Sequence, residues 1–92
     1  KIMKTLRIKI YGIVQGVFFR KFMKENADLL NVRGFVRNID KECVEVIMEG
    51  MDKNVDVLLE KSKIGPLSAH VKKIDIEEIK NQGFDGFKVL SL

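Results

Sequence analysis

The stretch YGIVQGVFFRKF, residues 11–22, sets two glycines, a glutamine and an arginine inside a run of otherwise large apolar side chains. Ahead of it, from Thr5 to Ile10, apolar and polar residues alternate. Leu6, Ile8 and Ile10 fall on one face, and Arg7, Lys9 and Tyr11 on the other, which predicts a half-buried strand. Behind it, over residues 20–30, Met23, Ala27 and Leu30 are joined by Phe19 and Phe22 at the spacing of one helical stripe. A strand therefore runs through a glycine-bearing turn straight into a helix. That arrangement leaves backbone N–H groups pointing into a small concavity at the positive end of the helix dipole, a place suited to an anion. Gly16 permits close backbone approach, and Arg20 in the first helical turn brings a planar two-pronged donor to the same spot. Read blandly, Gly12 and Gly16 only make a turn and Arg20 is a solvated helix residue.

The rest of the chain supplies the partners of this unit. GFVRN at 34–38 and CVEVIMEG at 43–50 read as two strands, the second with Val44, Val46 and Met48 on one face, and IDKE at 39–42 is short enough for a hairpin. Gly34 is expected to help end the first helix. Asp52 is the expected N-cap of a second helix whose stripe runs Val55, Leu58, Leu59 and Ser62, and IGP at 64–66 stops it. HVKKIDIEEI at 70–79 holds Ile74 and Ile76 in one phase and Val71 in the other, which predicts a bulge near Lys72. NQGFDG then turns the chain into FKVLSL, 87–92, a short final strand. The order predicts an α+β fold: a ferredoxin-like βαββαβ sandwich, with two helices on one face of an antiparallel sheet and a short C-terminal strand. Such a fold hosts many unrelated functions, so it does not name an activity.

Composition sets the outer bounds. Ninety-two residues with 46% apolar content suit one domain, expected to span 1–92, with its own core. Lys and Arg number 17 against 13 Asp and Glu, so a formal charge of +4 mildly favours anionic ligands. The basic residues are scattered, with no run longer than Lys72–Lys73, and neither nucleic acid nor a membrane is the expected partner. A lone cysteine, Cys43, forms no internal disulfide and is read as a half-buried strand residue in a reducing compartment. No leader and no stretch of about 20 apolar residues is present, so a soluble cytoplasmic protein is expected, and Lys1 in place of methionine reads as a trimmed start.

Asn38 closes GFVRN at the end of a strand expected beside the first one. Its side-chain amide could hold a water by accepting one of its hydrogens, although a turn former ahead of IDKE is the plainer reading. Taken together, GIVQGVFFR at 12–20 and GFVRN at 34–38 resemble the paired signatures of the acylphosphatase family. EG at 49–50, GP at 65–66 and the Ala-x-Val of 69–71 fall where that family has them, so the likeness covers nearly the whole chain. The resemblance implies a ferredoxin-like fold and metal-independent, cofactor-free hydrolysis of acyl phosphates to carboxylate and inorganic phosphate. Carried over, Arg20 is the phosphate-binding catalytic arginine and Asn38 positions the attacking water. The backbone N–H groups of Gln15, Gly16, Val17, Phe18 and Phe19 form the phosphate cradle, where phosphate or sulfate is expected to sit. A monomer is expected. DKEC stands where the family usually has an Asp-Gly or Asn-Gly turn, which puts the hairpin type in question but neither functional residue.

Other features are set aside. His70, the only histidine, lies far in sequence from both motifs and has no neighbouring Asp or Cys to complete a triad or metal site. Phe18, Phe19, Phe22 and Phe35 fit core packing, and Lys61, Lys63, Lys72 and Lys73 read as solvated edges. RGFVRNI echoes the signature of an RNA-binding module, but on the second strand instead of the third and without the aromatics that stack bases. A second rival is the acylphosphatase-like domain of a carbamoyltransferase, whose following zinc-binding cysteines do not occur in these 92 residues.

Overall fold

A computed structural model describes residues 2–91. Along the chain run β1 (Met3–Ile13), α1 (Phe19–Leu29), β2 (Arg33–Asp40), β3 (Cys43–Met51), α2 (Asp52–Ile64), β4 (His70–Ile79) and β5 (Phe87–Leu90). The strands form one sheet in the order β4-β1-β3-β2-β5. Its register stacks the apolar phase of each strand. Ile8 faces Val46 and Ile76, Ile10 faces Val44 and Ile74, and Val36 faces Val46. Phe19, Met23 and Ala27 of α1 and Val55 and Leu58 of α2 close over this surface. Burial of each such large side chain contributes about 1.5–3 kcal/mol, so the α1 stripe fixes where the helix begins as firmly as any cap does.

The α+β sandwich expected from the pattern is present, with two corrections to the sheet. β2 does not lie beside β1, because β3 pairs with both and stands between them. β5 pairs with β2 in parallel, Gly34 opposite Phe87 through Arg37 opposite Leu90, so the sheet is mixed. The predicted final strand ends at Leu90, and its last position, Leu92, lies outside the described residues. The bulge expected near Lys72 is found there: Tyr11 pairs with Lys73 and Gly12 with Val71, so Lys72 is passed over.

Two helix ends differ from expectation. α1 is ended by Asn31, at φ 56, and not by Gly34. The Val32 N–H donates to the Ala27 carbonyl at 2.8 Å and the Asn31 N–H to that of Asp28 at 3.2 Å, the double bond of a Schellman motif. Gly34 instead lies within β2 at φ 138, where an added Cβ would sit 1.9 Å from the Ile47 carbonyl oxygen. Asp52 is not the N-cap of α2. Met51 still pairs with Met3 at the end of β3 and so supplies the extended cap position, leaving Asp52 as the first helical residue. Its carboxylate nevertheless stands in the first turn, where the helix dipole favours it. Gly65 and Pro66 end α2 as the sequence predicts.

The β2–β3 hairpin closes over Lys41 and Glu42 without any residue at positive φ, so it is not the type I′ turn that an Asn-Gly pair would make. A register shift between Asn38 and Asp40 absorbs the difference. The Glu42 N–H donates to the Asp40 carboxylate at 3.1 Å, and the Gly12 N–H donates to the Glu42 carbonyl at 3.0 Å.

Candidate active site

Between the end of β1 and the start of α1 the chain bends around a pocket of about 500 Å³. Gln15, Gly16, Phe18 and Phe19 line it from the bend, Arg20 and Lys24 from α1, Asn38 from β2 and Val89 from β5. Gly16 sits at φ 71, with no heavy atom within 4 Å of where a Cβ would stand, so its face of the bend is open. The Gln15 side chain ties the bend to the sheet by donating from Nε2 to the Cys43 carbonyl at 3.0 Å. Phe18 takes the N-cap position in a left-handed conformation, φ 63 and ψ 25. Its carbonyl accepts the first helical bond, from the Phe22 N–H at 3.0 Å. The N–H groups of Phe19, Arg20 and Lys21 therefore precede the helical ladder and carry the positive end of its dipole. Val17 does not line the pocket; its side chain packs against the core and holds the bend down.

The two side chains singled out from sequence thus reach the same pocket. Arg20 donates from Nη1 to the Leu90 carbonyl at 3.3 Å, which orients the guanidinium along β5. Asn38 shares the phase of Val36 and so points to the helix side of the sheet. Its Oδ1 is buried and has no hydrogen-bond partner among the described residues. An unpartnered buried acceptor costs about 1–3 kcal/mol, a cost that a water or ligand hydrogen would remove.

Two further cations escaped the sequence reading. Lys21 and Lys24 also line the pocket. Lys24 follows Arg20 by one helical turn, a spacing that could have flagged it. Its ammonium donates to the Phe87 carbonyl at 2.8 Å and pairs with Asp28 at 2.9 Å. Arg20 and Lys24 thus both grip β5, the strand whose packing onto β2 completes the pocket wall.

Glu49, on the sheet face away from the helices, fixes the approach to β5. It is buried, accepts the Thr5 hydroxyl at 2.6 Å and takes the N–H groups of Gln82, Gly83 and Phe84. Burial alone would raise its carboxyl, but the Thr5 hydroxyl and these three amides outweigh it and hold the group below its ordinary value. On the same face Glu45 pairs with Arg37 at 2.7 Å and Arg7 at 3.4 Å, and the Phe35 ring packs edge-on against Phe84. A sheet surface with acids at its centre, and with its rings already engaged, Phe35 by Phe84 and Tyr11 by the Lys73 ammonium at 5.1 Å, is a poor platform for RNA bases.

The residues set aside as reagents lie elsewhere. His70 is exposed at the start of β4 and does not line the pocket. Cys43 is buried, more fully than expected; desolvation foremost and the Asp40 charge next push its thiol up, against a smaller opposing pull from the Tyr11 hydroxyl. Such a thiol is a weak nucleophile. Among the described residues no group of three or more His, Cys, Asp or Glu side chains is gathered to hold a metal ion, and no helix is long and apolar enough to cross a membrane.

Comparison with known proteins gives the same family from sequence and from shape. The acylphosphatase family model matches residues 6–89. An acylphosphatase of Thiobacillus denitrificans is 42% identical over 86 residues, covering 94% of this chain and 96% of that protein. The structure of an acylphosphatase from Coxiella burnetii superposes with a TM-score of 0.93 at 30% identity, covering 97% of this chain and 94% of that one. HypF of T. kodakarensis superposes with a TM-score of 0.83 at 34% identity, covering 96% of this chain but 12% of HypF. With the family model matching residues 6–89 and full-length relatives alike in sequence and in shape, the chain belongs to the acylphosphatase family and is an acylphosphatase hydrolase.

Proposed function

We propose that the bend at residues 15–20 binds the phosphoryl group of an acyl phosphate, and that Arg20 and Asn38 carry the reaction within the single domain 1–92. Hydrolysis of acyl phosphates is the function of the family. The observation that carries the residue assignment is the convergence of Arg20 and Asn38 on one pocket floored by the bend.

Phosphoryl transfer asks mainly for positioning and for stabilisation of charge on the three non-bridging oxygens. The N–H groups of Gln15, Gly16, Val17, Phe18 and Phe19 and the Arg20 guanidinium supply donors on one side. Asn38 accepts one hydrogen of a water through Oδ1 and aims its oxygen at phosphorus. The new P–O bond forms as the bond from phosphorus to the acyl oxygen breaks, and the electron pair leaves on the carboxylate. The water's second proton passes to the phosphate or to solvent. A carboxylate is a weakly basic leaving group, so the site can dispense with a general acid, which accounts for a pocket without His, Cys or paired carboxylates.

The test is hydrolysis of benzoyl phosphate, acetyl phosphate and carbamoyl phosphate beside a phosphate monoester, with chelator present. Turnover of the acyl phosphates, with the monoester untouched, is the expected result; a requirement for added metal would contradict the mechanism. The rival reading, the acylphosphatase-like domain of a carbamoyltransferase, keeps this pocket and is distinguished by a strong preference for carbamoyl phosphate.

A further inference from the structure

Phe18, whose spacing predicts core packing, is not part of the core. Its residue is 75% exposed, whereas Phe19 beside it is 1% exposed. Its backbone is left-handed, a conformation that residues with a Cβ adopt with strain. Exposure and strain both oppose folding, and the ring gains no core packing in return. Strained residues cluster where ligands are held.

What the ring does border is on both of its sides. It lines the anion pocket and also a groove of about 300 Å³ formed with Lys21, Phe22, Glu25 and Pro66. Pocket and groove share Phe18 and Lys21, so the groove continues directly from the place where a phosphoryl group would be anchored. Phe22 is held edge-on to Phe19, with ring centroids 6.1 Å apart, and gives the groove a fixed wall. Pro66, just after the end of α2, supplies a rigid apolar one.

We propose that the groove between Phe18, Phe22 and Pro66 is the acyl-group subsite, that it favours aromatic and other apolar acyl groups, and that the Phe18 ring is the residue that selects them. This rests on the phosphoryl-binding reading of the adjoining pocket. A phosphoryl group fixed at the bend leaves its acyl substituent at the pocket rim, and the exposed ring offers that substituent an aromatic surface.

The experiment compares kcat/KM for benzoyl phosphate with that for acetyl phosphate in the wild type and in Phe18→Ala, Phe18→Tyr and Val89→Ala. The two substrates share the phosphoryl group, so any disturbance of the bend's amides cancels in the ratio. Phe18→Ala should lower the benzoyl-to-acetyl ratio about three- to tenfold, the effect of one aromatic contact. Phe18→Tyr, which keeps the ring, should retain the ratio, as should Val89→Ala, at a residue that lines the pocket from β5 but not the groove. Phe18→Gly, which accepts the left-handed backbone without strain, replaces the alanine variant if that one fails to fold. A ratio unchanged without the Phe18 ring, or lowered only in Val89→Ala, overturns the subsite while leaving the hydrolase reading intact. Hydrolysis of neither substrate by the wild type overturns both.

Discussion

Arg20 and Asn38 come from different layers of the fold, the arginine from the first turn of α1 and the asparagine from β2, yet both line one pocket. Neither is needed to build the core, so each can be replaced with the scaffold retained. Arg20→Ala should lower kcat/KM for acyl phosphates by at least about a hundredfold, the usual loss for one preorganised donor to a developing charge. Arg20→Lys should recover little of it, because a point charge lacks the two-pronged geometry. Steady-state kinetics beside circular dichroism melts check this, with activity lost and the melt unchanged.

Asn38→Ala should separate the two terms of catalysis. If the amide aims water and does not hold phosphate, kcat falls about a hundredfold while KM stays near its wild-type value. Because Oδ1 is a buried acceptor without a described partner, its removal should not lower stability. Chemical denaturation of the variant should therefore give a midpoint at or above that of the wild type.

Glu49 predicts how stability depends on pH. Its folded-state carboxyl lies below the ordinary value of 4.5, so the ionised group stabilises the native state above that pH, and the contribution is lost as pH falls through the folded value. Glu49→Gln should cost about 2 kcal/mol or more near neutrality, since its NH2 would oppose donors that now point at a carboxylate oxygen. The gap between wild type and variant in urea unfolding should be full at pH 7 and narrow steadily below pH 4.5. A gap that does not narrow in acid would show that the carboxylate's charge plays no part.

Gly34 and Gly16 should both lose stability on gaining one methyl group, but by very different amounts. At Gly34 the Cβ would stand 1.9 Å from the Ile47 carbonyl oxygen, so Gly34→Ala must break the β2–β3 pairing and should cost several kcal/mol, at the upper end of single-substitution effects. At Gly16 the space is empty, and only the left-handed φ of 71° opposes alanine, at a cost of about 1 kcal/mol. Thermal unfolding of the two variants distinguishes a glycine kept for packing from one kept for the bend.

His70→Gln should leave kcat and its pH profile unaltered. The side chain is exposed on β4 and lies outside the pocket. A pH–rate profile that loses a limb near neutrality would bring the histidine into the mechanism.

The fold could be read from periodicity because its core is regular. Leu6, Ile8 and Ile10, Val44, Val46 and Met48, and the stripes of α1 and α2 all repeat at the period of their element. Local patterns failed where long-range packing decides. Nothing near Gly34 in sequence signals the Ile47 carbonyl above it, and nothing near Asp52 signals that Met51 is still held in the sheet by Met3. The direction of β5 was illegible for the same reason, since over four residues the small difference between parallel and antiparallel pairing is outweighed by the packing of neighbours. At the pocket, Arg20 and Asn38 stood out from their places at the helix start and the strand end and from the motif resemblance, whereas Lys24, Val89 and the Glu49 clamp did not, because β5 and the loop before it bring them in.

The most direct test is a titration of the uniformly 15N-labelled protein with inorganic phosphate, followed by amide chemical shifts. A phosphate site at the bend requires saturable shifts at Gln15, Gly16, Val17, Phe18 and Phe19, and their loss in Arg20→Ala. Shifts confined to another surface, or unaffected by the loss of Arg20, would contradict it.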